Sequence, residues 1–161
     1  MVKFLFFNAL LLACCGYAFL RGGAPERIGA AIFAIGTGLT VVAASSPATR
    51  FASLEVGILI VDGAALVGFL ILALFAERYW PSWLTALQAI GTAGHAIKLA
   101  DPEGFPWAYA FALAFWSYPM LLLIALGTFR HQRRVAKFGV DRSWSSFSAP
   151  WARRRETGPT A

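Results

Sequence analysis

Scarcity of charge over most of its length is what constrains this chain most. Residues 1 to 129 hold six basic side chains (Lys3, Arg21, Arg27, Arg50, Arg78, Lys98) and six acidic ones (Glu26, Glu55, Asp62, Glu77, Asp101, Glu103), set among long apolar runs. A soluble domain ordinarily has about a quarter of its residues charged, whereas here the share is 14%. Such a chain lacks the polar side chains for a water-facing surface, which argues against a soluble enzyme and against a disordered regulator.

Five apolar segments can be read, at about residues 4–20, 28–45, 54–76, 83–99 and 107–129. A helix needs about 17 to 25 residues to cross the hydrocarbon of a bilayer, so each is long enough, the third and fifth comfortably. The expected fold is an all-α integral membrane protein, a compact bundle of five transmembrane helices over residues 1–129, followed by a basic, aromatic-containing tail over 130–161. Glycines at 36, 38, 57, 63, 68, 91 and 94 suit helices that approach closely in lipid.

Charge asymmetry sets the orientation. Residues 130–161 carry eight basic and two acidic side chains, so the whole formal charge of +6 lies there. The positive-inside rule puts this tail, with Arg21, Arg27 and Arg78, in the cytoplasm of a prokaryotic-type inner membrane and the N-terminus outside. The first segment has an alternative reading: Leu11, Leu12, Ala13 and Cys14 form a lipoprotein-like box, and cleavage and lipidation at Cys14 would leave four spans. The charge pattern favours the retained helix. Cys14 and Cys15, about 100° apart on a helix, suit packing rather than a disulfide or a metal.

The polar groups within the apolar segments are the candidate site. Glu55 and Asp62 are seven residues apart on one helix face, and Gln88, His95 and Lys98 cluster on the next segment beside Thr85 and Thr92. Across an antiparallel pair, Asp62 can face His95 and Glu55 can face Lys98. A carboxylate and an imidazole in such a place can relay protons, or can simply fix helix register. No nucleophile or metal motif accompanies them, and no catalytic residue or metal ligand is assigned. No cofactor is expected; axial ligation of a haem or pigment by His95 alone is the alternative, since His131 lies past the last span.

Trp107 and Tyr109 are expected in the outer aromatic belt and Tyr79, Trp80 and Trp83 in the inner one. Pro119 should kink the fifth segment around residues 115–119. In the tail, Arg130, Arg133, Arg134 and Lys137, then Trp144, Phe147 and Trp151, are expected to contact anionic headgroups or a partner. Nucleic acid is not an expected partner. The leading functional expectation is a small non-enzymatic integral subunit that packs against another membrane protein or itself. The alternatives are a proton-coupled transporter or channel using Asp62 and His95, and an intramembrane enzyme.

Overall fold

A computed structural model describes residues 2–45, 54–100 and 105–144. They form six helices: α1 (Val2–Arg21), α2 (Ala24–Ala43), α3 (Val56–Phe75), α4 (Trp80–Ala100), α5 (Pro106–Phe115) and α6 (Ser117–Phe138). Among the described residues there is no strand, only one antiparallel bridge between Ala76 and Trp144. Phe147 and Trp151 lie outside the described residues.

Local chemistry explains the boundaries. Gly22 and Gly23 separate α1 from α2, and Pro25 in the first turn of α2 lacks an N–H that would have had no helical acceptor. Gly139 ends α6 in the left-handed region at φ 74° and donates its N–H to the Val135 carbonyl. Pro119 cannot donate to the carbonyl of Phe115 four residues back, and the helix breaks at Trp116, within the expected interval. Beyond that break α6 runs on to Phe138, so Arg130, Arg133, Arg134 and Lys137 are helical rather than part of a loose tail.

Four stretches are long and apolar enough to cross a membrane: α1 from Phe4, α2, α3, and the broken rod Trp107–Phe138. The fifth expected span, α4, has 21 residues, yet Gln88, His95 and Lys98 dilute its apolar character. The 32 residues of the broken rod would extend about 48 Å if helical throughout, against about 30 Å of hydrocarbon. Its last turns therefore exceed any bilayer crossing, and those turns carry the arginines.

Each helix packs on its successor, and α6 closes the bundle against α1, α2 and α4. Successive helices alternate in direction, so an odd number of rods leaves one parallel pair of neighbours, α1 and α6. Phe7 accordingly meets Tyr118 near one end, with ring centroids 5.5 Å apart, and Tyr17 donates to Gln132 Oε1 at 3.2 Å near the other. The shared core holds Cys14, Cys15 and Ala18 of α1, Phe33 of α2, Phe69 and Leu72 of α3, Leu84 of α4, and Leu121 and Ile124 of α6. Both cysteines are buried free thiols.

Only some of the expected glycines are approach points. A Cβ at Gly57 would lie 2.5 Å from the Ala43 carbonyl oxygen, and one at Gly68 or Gly94 would lie 3.2 Å from Ile32 or Leu113. Nothing lies within 4 Å of such an atom at Gly38 or Gly63. Because the obstacle at Gly57 is backbone, Gly57→Ala should force α2 and α3 apart at a cost of about 1–3 kcal/mol. Thermal unfolding in detergent checks this, with Gly63→Ala expected to leave the midpoint unchanged.

Candidate functional site

The bundle has two polar clusters, one toward each end. The first joins α3, α4 and α5. Asp62 and His95 meet as the antiparallel pairing predicts, His95 Nε2 standing 3.1 Å from Asp62 Oδ2. Gln88 Nε2 donates to the Asp62 backbone oxygen at 3.3 Å and to its Oδ1 at 3.4 Å. Seven residues make about two helical turns, which brings Gln88 and His95 to the same side of α4.

Tyr109 completes this cluster and corrects an expectation. Instead of lying in an aromatic belt, it is 2% exposed, with its hydroxyl 2.6 Å from His95 Nδ1. The same hydroxyl accepts from the Glu55 backbone N–H at 3.4 Å. One tautomer, inferred from the hydrogen-bond pattern, serves every contact: Tyr109 donates to Nδ1 while Nε2–H donates to Asp62. Both ring nitrogens of His95 are thereby engaged, so axial ligation of a haem or pigment would require breaking one of these bonds.

Glu55 and Lys98 are buried at this same end, and Glu55 Oε2 accepts from the Ser45 N–H at 3.0 Å, tying the end of α2 to the start of α3. Thr85 and Thr92 do not join the cluster. Their hydroxyls donate to the carbonyls of Pro81 and Gln88 one turn back, the usual solution for a hydroxyl in apolar surroundings.

The second cluster was not foreseen. Trp80, expected in the inner aromatic belt, is buried, and its indole N–H donates to Glu26 Oε1 at 3.2 Å. Its ring lies between Gly29 and Gly127, where an added Cβ would come within 2.8 and 2.9 Å of ring atoms. Tyr79 and Trp83, by contrast, are exposed at this end. Glu26, fully buried, also faces Arg78, whose Nε is 3.7 Å from Oε1.

Arg78 reaches on to Asp141, with Nη2 2.6 Å from Oδ2. His131 Nδ1 is 2.6 Å from the same oxygen, and Arg134 Nε donates to Oδ1 at 2.8 Å. Asp141 therefore gathers three cationic or hydrogen-bonding side chains from α6 and the α3–α4 connection. Burial alone would raise its carboxyl pKa. Hydrogen bonds from Arg134 and His131, with the charges of Arg78 and Arg134, outweigh that and hold it below the usual carboxylate range.

The segment after α6 is thus strapped down, and Glu77 N–H donates to the Ser143 carbonyl at 3.3 Å beside the Ala76–Trp144 bridge. Trp144 is part of this strap and remains partly exposed. Arg134 faces Asp141, while Arg130, Arg133 and Lys137 are exposed. The guanidinium of Arg133 lies 5.6 Å from the Phe129 ring centroid. A parity argument could have placed Glu26, Arg78 and the tail at one end, but no spacing rule pairs positions 26, 78 and 141.

Two grooves among the described residues contain neither Asp62 nor His95. One, of about 440 Å3, lies between α1, α2 and α6; the other, of about 390 Å3, is apolar and lies between α4 and α5. Among the described residues no three His, Cys, Asp or Glu side chains converge as metal ligands. Comparison with protein-family models, with curated proteins and with solved structures finds no match to this chain.

Proposed function

We propose that this protein is a small non-enzymatic integral membrane subunit that packs against another membrane protein or a second copy of itself. The supporting observation is that its intramembrane polar groups face one another. Asp62, Gln88, His95 and Tyr109 form a hydrogen-bonded chain between helices, and the two grooves lie elsewhere. Such a chain fixes helix register without needing a substrate, because Asp62, Gln88, His95 and Tyr109 each find a partner within the bundle. Function then falls to the exterior, where large apolar side chains on α1, α2 and α3 face outward and Gly38 and Gly63 offer bare backbone.

The proposed setting is a prokaryotic inner membrane crossed five times, with the N-terminus outside. α4 is counted as a span because its polar side chains turn inward, His95 and Lys98 being buried while Ile90 and Leu99 face out. Arg21, Arg27, Arg78, Arg130, Arg133, Arg134 and Lys137 gather at one end of the bundle, the end the positive-inside rule assigns to the cytoplasm.

Purification from native membranes in mild detergent, followed by mass determination, tests the subunit reading. A stoichiometric protein partner or a defined self-assembly is expected. In proteoliposomes the chain should pass protons no faster than lipid alone, and Asp62→Asn should change nothing. A monomer that conducts protons, and stops when Asp62 is neutralised, would replace this reading with the transporter.

A further inference from the structure

We infer that the groove between α1, α2 and α6 binds the phosphate of an anionic phospholipid headgroup, with Arg21 and Arg27 as the groups that hold it. The inference rests on the membrane placement proposed above. The groove, of about 440 Å3, is lined by Arg21, Arg27, His131 and Gln132, with Leu20 and Val135 among its apolar residues. The arginines flank the Gly22–Gly23 turn, at the end of α1 and in the first turn of α2.

Three observations point to an anion there. First, among the described residues neither the Arg21 nor the Arg27 guanidinium has an acidic partner, although three carboxylates lie at the same end. Second, those carboxylates are held elsewhere: Glu26 through Oε1 by Trp80 and Arg78, Asp141 by Arg78, Arg134 and His131, and Glu77 by Arg142 at 3.9 Å. They cannot swing across to neutralise the groove without breaking those contacts. Third, the frame is fixed, since Gln132 accepts from Tyr17 and donates to the Arg21 carbonyl at 3.4 Å, bracing α6 against the end of α1.

The apolar share of the lining separates this groove from a site for a soluble anion. Leu20 and Val135 are exposed, and at the membrane edge such side chains meet the upper acyl chain, while two forked guanidiniums suit phosphate oxygens. Arg133 and Lys137 lie on α6 outside the groove lining and would contribute only diffuse attraction.

The test is native mass spectrometry of the full chain from micelles holding equal amounts of phosphatidylglycerol and phosphatidylcholine. Preferential retention of one phosphatidylglycerol per chain is expected, and Arg21→Gln with Arg27→Gln should weaken that preference about tenfold. The charge-matched pair Arg133→Gln with Lys137→Gln should leave it unchanged. Equal loss in both pairs, or no preference in the native chain, overturns the site. Full displacement of the lipid by millimolar inorganic phosphate would overturn the headgroup assignment in favour of a soluble phosphate. Recovery of the chain outside the membrane fraction sinks the membrane reading itself, whereas recovery in membranes without lipid preference sinks the headgroup site alone.

Discussion

Trp80→Ala should label at Cys14 and Cys15 with a maleimide at least about tenfold faster than the native chain in detergent, reflecting a loss of about 3–5 kcal/mol. The two thiols are the only cysteines of the chain and both are buried, so their reactivity reports opening of the bundle. The expected size follows from what the indole does. Its ring fills the space between Gly29 of α2 and Gly127 of α6, within the core that also holds Leu72. Neither glycine has a side chain that could move in to fill the gap. Truncation also takes a donor from Glu26, a fully buried carboxylate whose Oε2 already has no hydrogen-bond partner. Trp80→Phe separates the two effects: it keeps most of the packing and loses the donor, for about 1–3 kcal/mol. Native labelling rates in Trp80→Ala would mean that the ring is not the anchor between α2, α4 and α6.

Asp141→Ala should be the most damaging change outside the helices. It takes from the Arg78 side chain, 6% exposed, its closest carboxylate, leaving the Glu77 carbonyl and the 3.7 Å contact to Glu26, and removes the acceptor for His131 and Arg134. Stranding a buried cation in this way costs about 3–5 kcal/mol. The strap should detach and trypsin should cut after Arg142 and Arg134 in the variant while sparing the native chain. Resistance equal to the native chain would show that the Ala76–Trp144 bridge holds the strap unaided. Acid should mimic the mutation only at low pH. The Asp141 pKa is depressed in the folded chain, so its contribution is complete above the ordinary carboxylate pKa of about 3.9 and is lost as pH falls through the lower folded value. Protection of the strap is therefore checked in acid itself with pepsin, at a series of pH values. Above about pH 4 the strap should stay docked and resist cleavage.

The part of this structure legible in the sequence is the part governed by period and parity. Apolar runs placed the first four helices to within about four residues, but the fifth run ends at residue 129 while α6 runs on to Phe138; the antiparallel pairing of α3 with α4 brought Asp62 to His95. What escaped depends on rotation about a helix axis. Trp80 and Tyr109 each stand near a helix start, where the aromatic-belt rule applies to depth and is silent about which way a ring points. Tyr109 turns inward toward His95, and Trp80 turns inward because two glycines 98 positions apart, Gly29 and Gly127, leave it a slot. Asp141 was hidden for a different reason. Counted among eight basic residues it reads as a minor correction to net charge, whereas in the fold it is the acceptor on which three side chains converge.

The parallel contact between α1 and α6 bears on how the chain is made. Tyr17 and Gln132 are 115 positions apart, so the side of α1 that carries Phe7 and Tyr17 lacks its final neighbour until nearly all of the chain has left the ribosome. Each earlier helix can pair with its successor as it emerges, but closure must wait for the last one. During that interval the first helix is open to other helices nearby, and a nascent chain stalled before residue 117 would be a ready substrate for quality control.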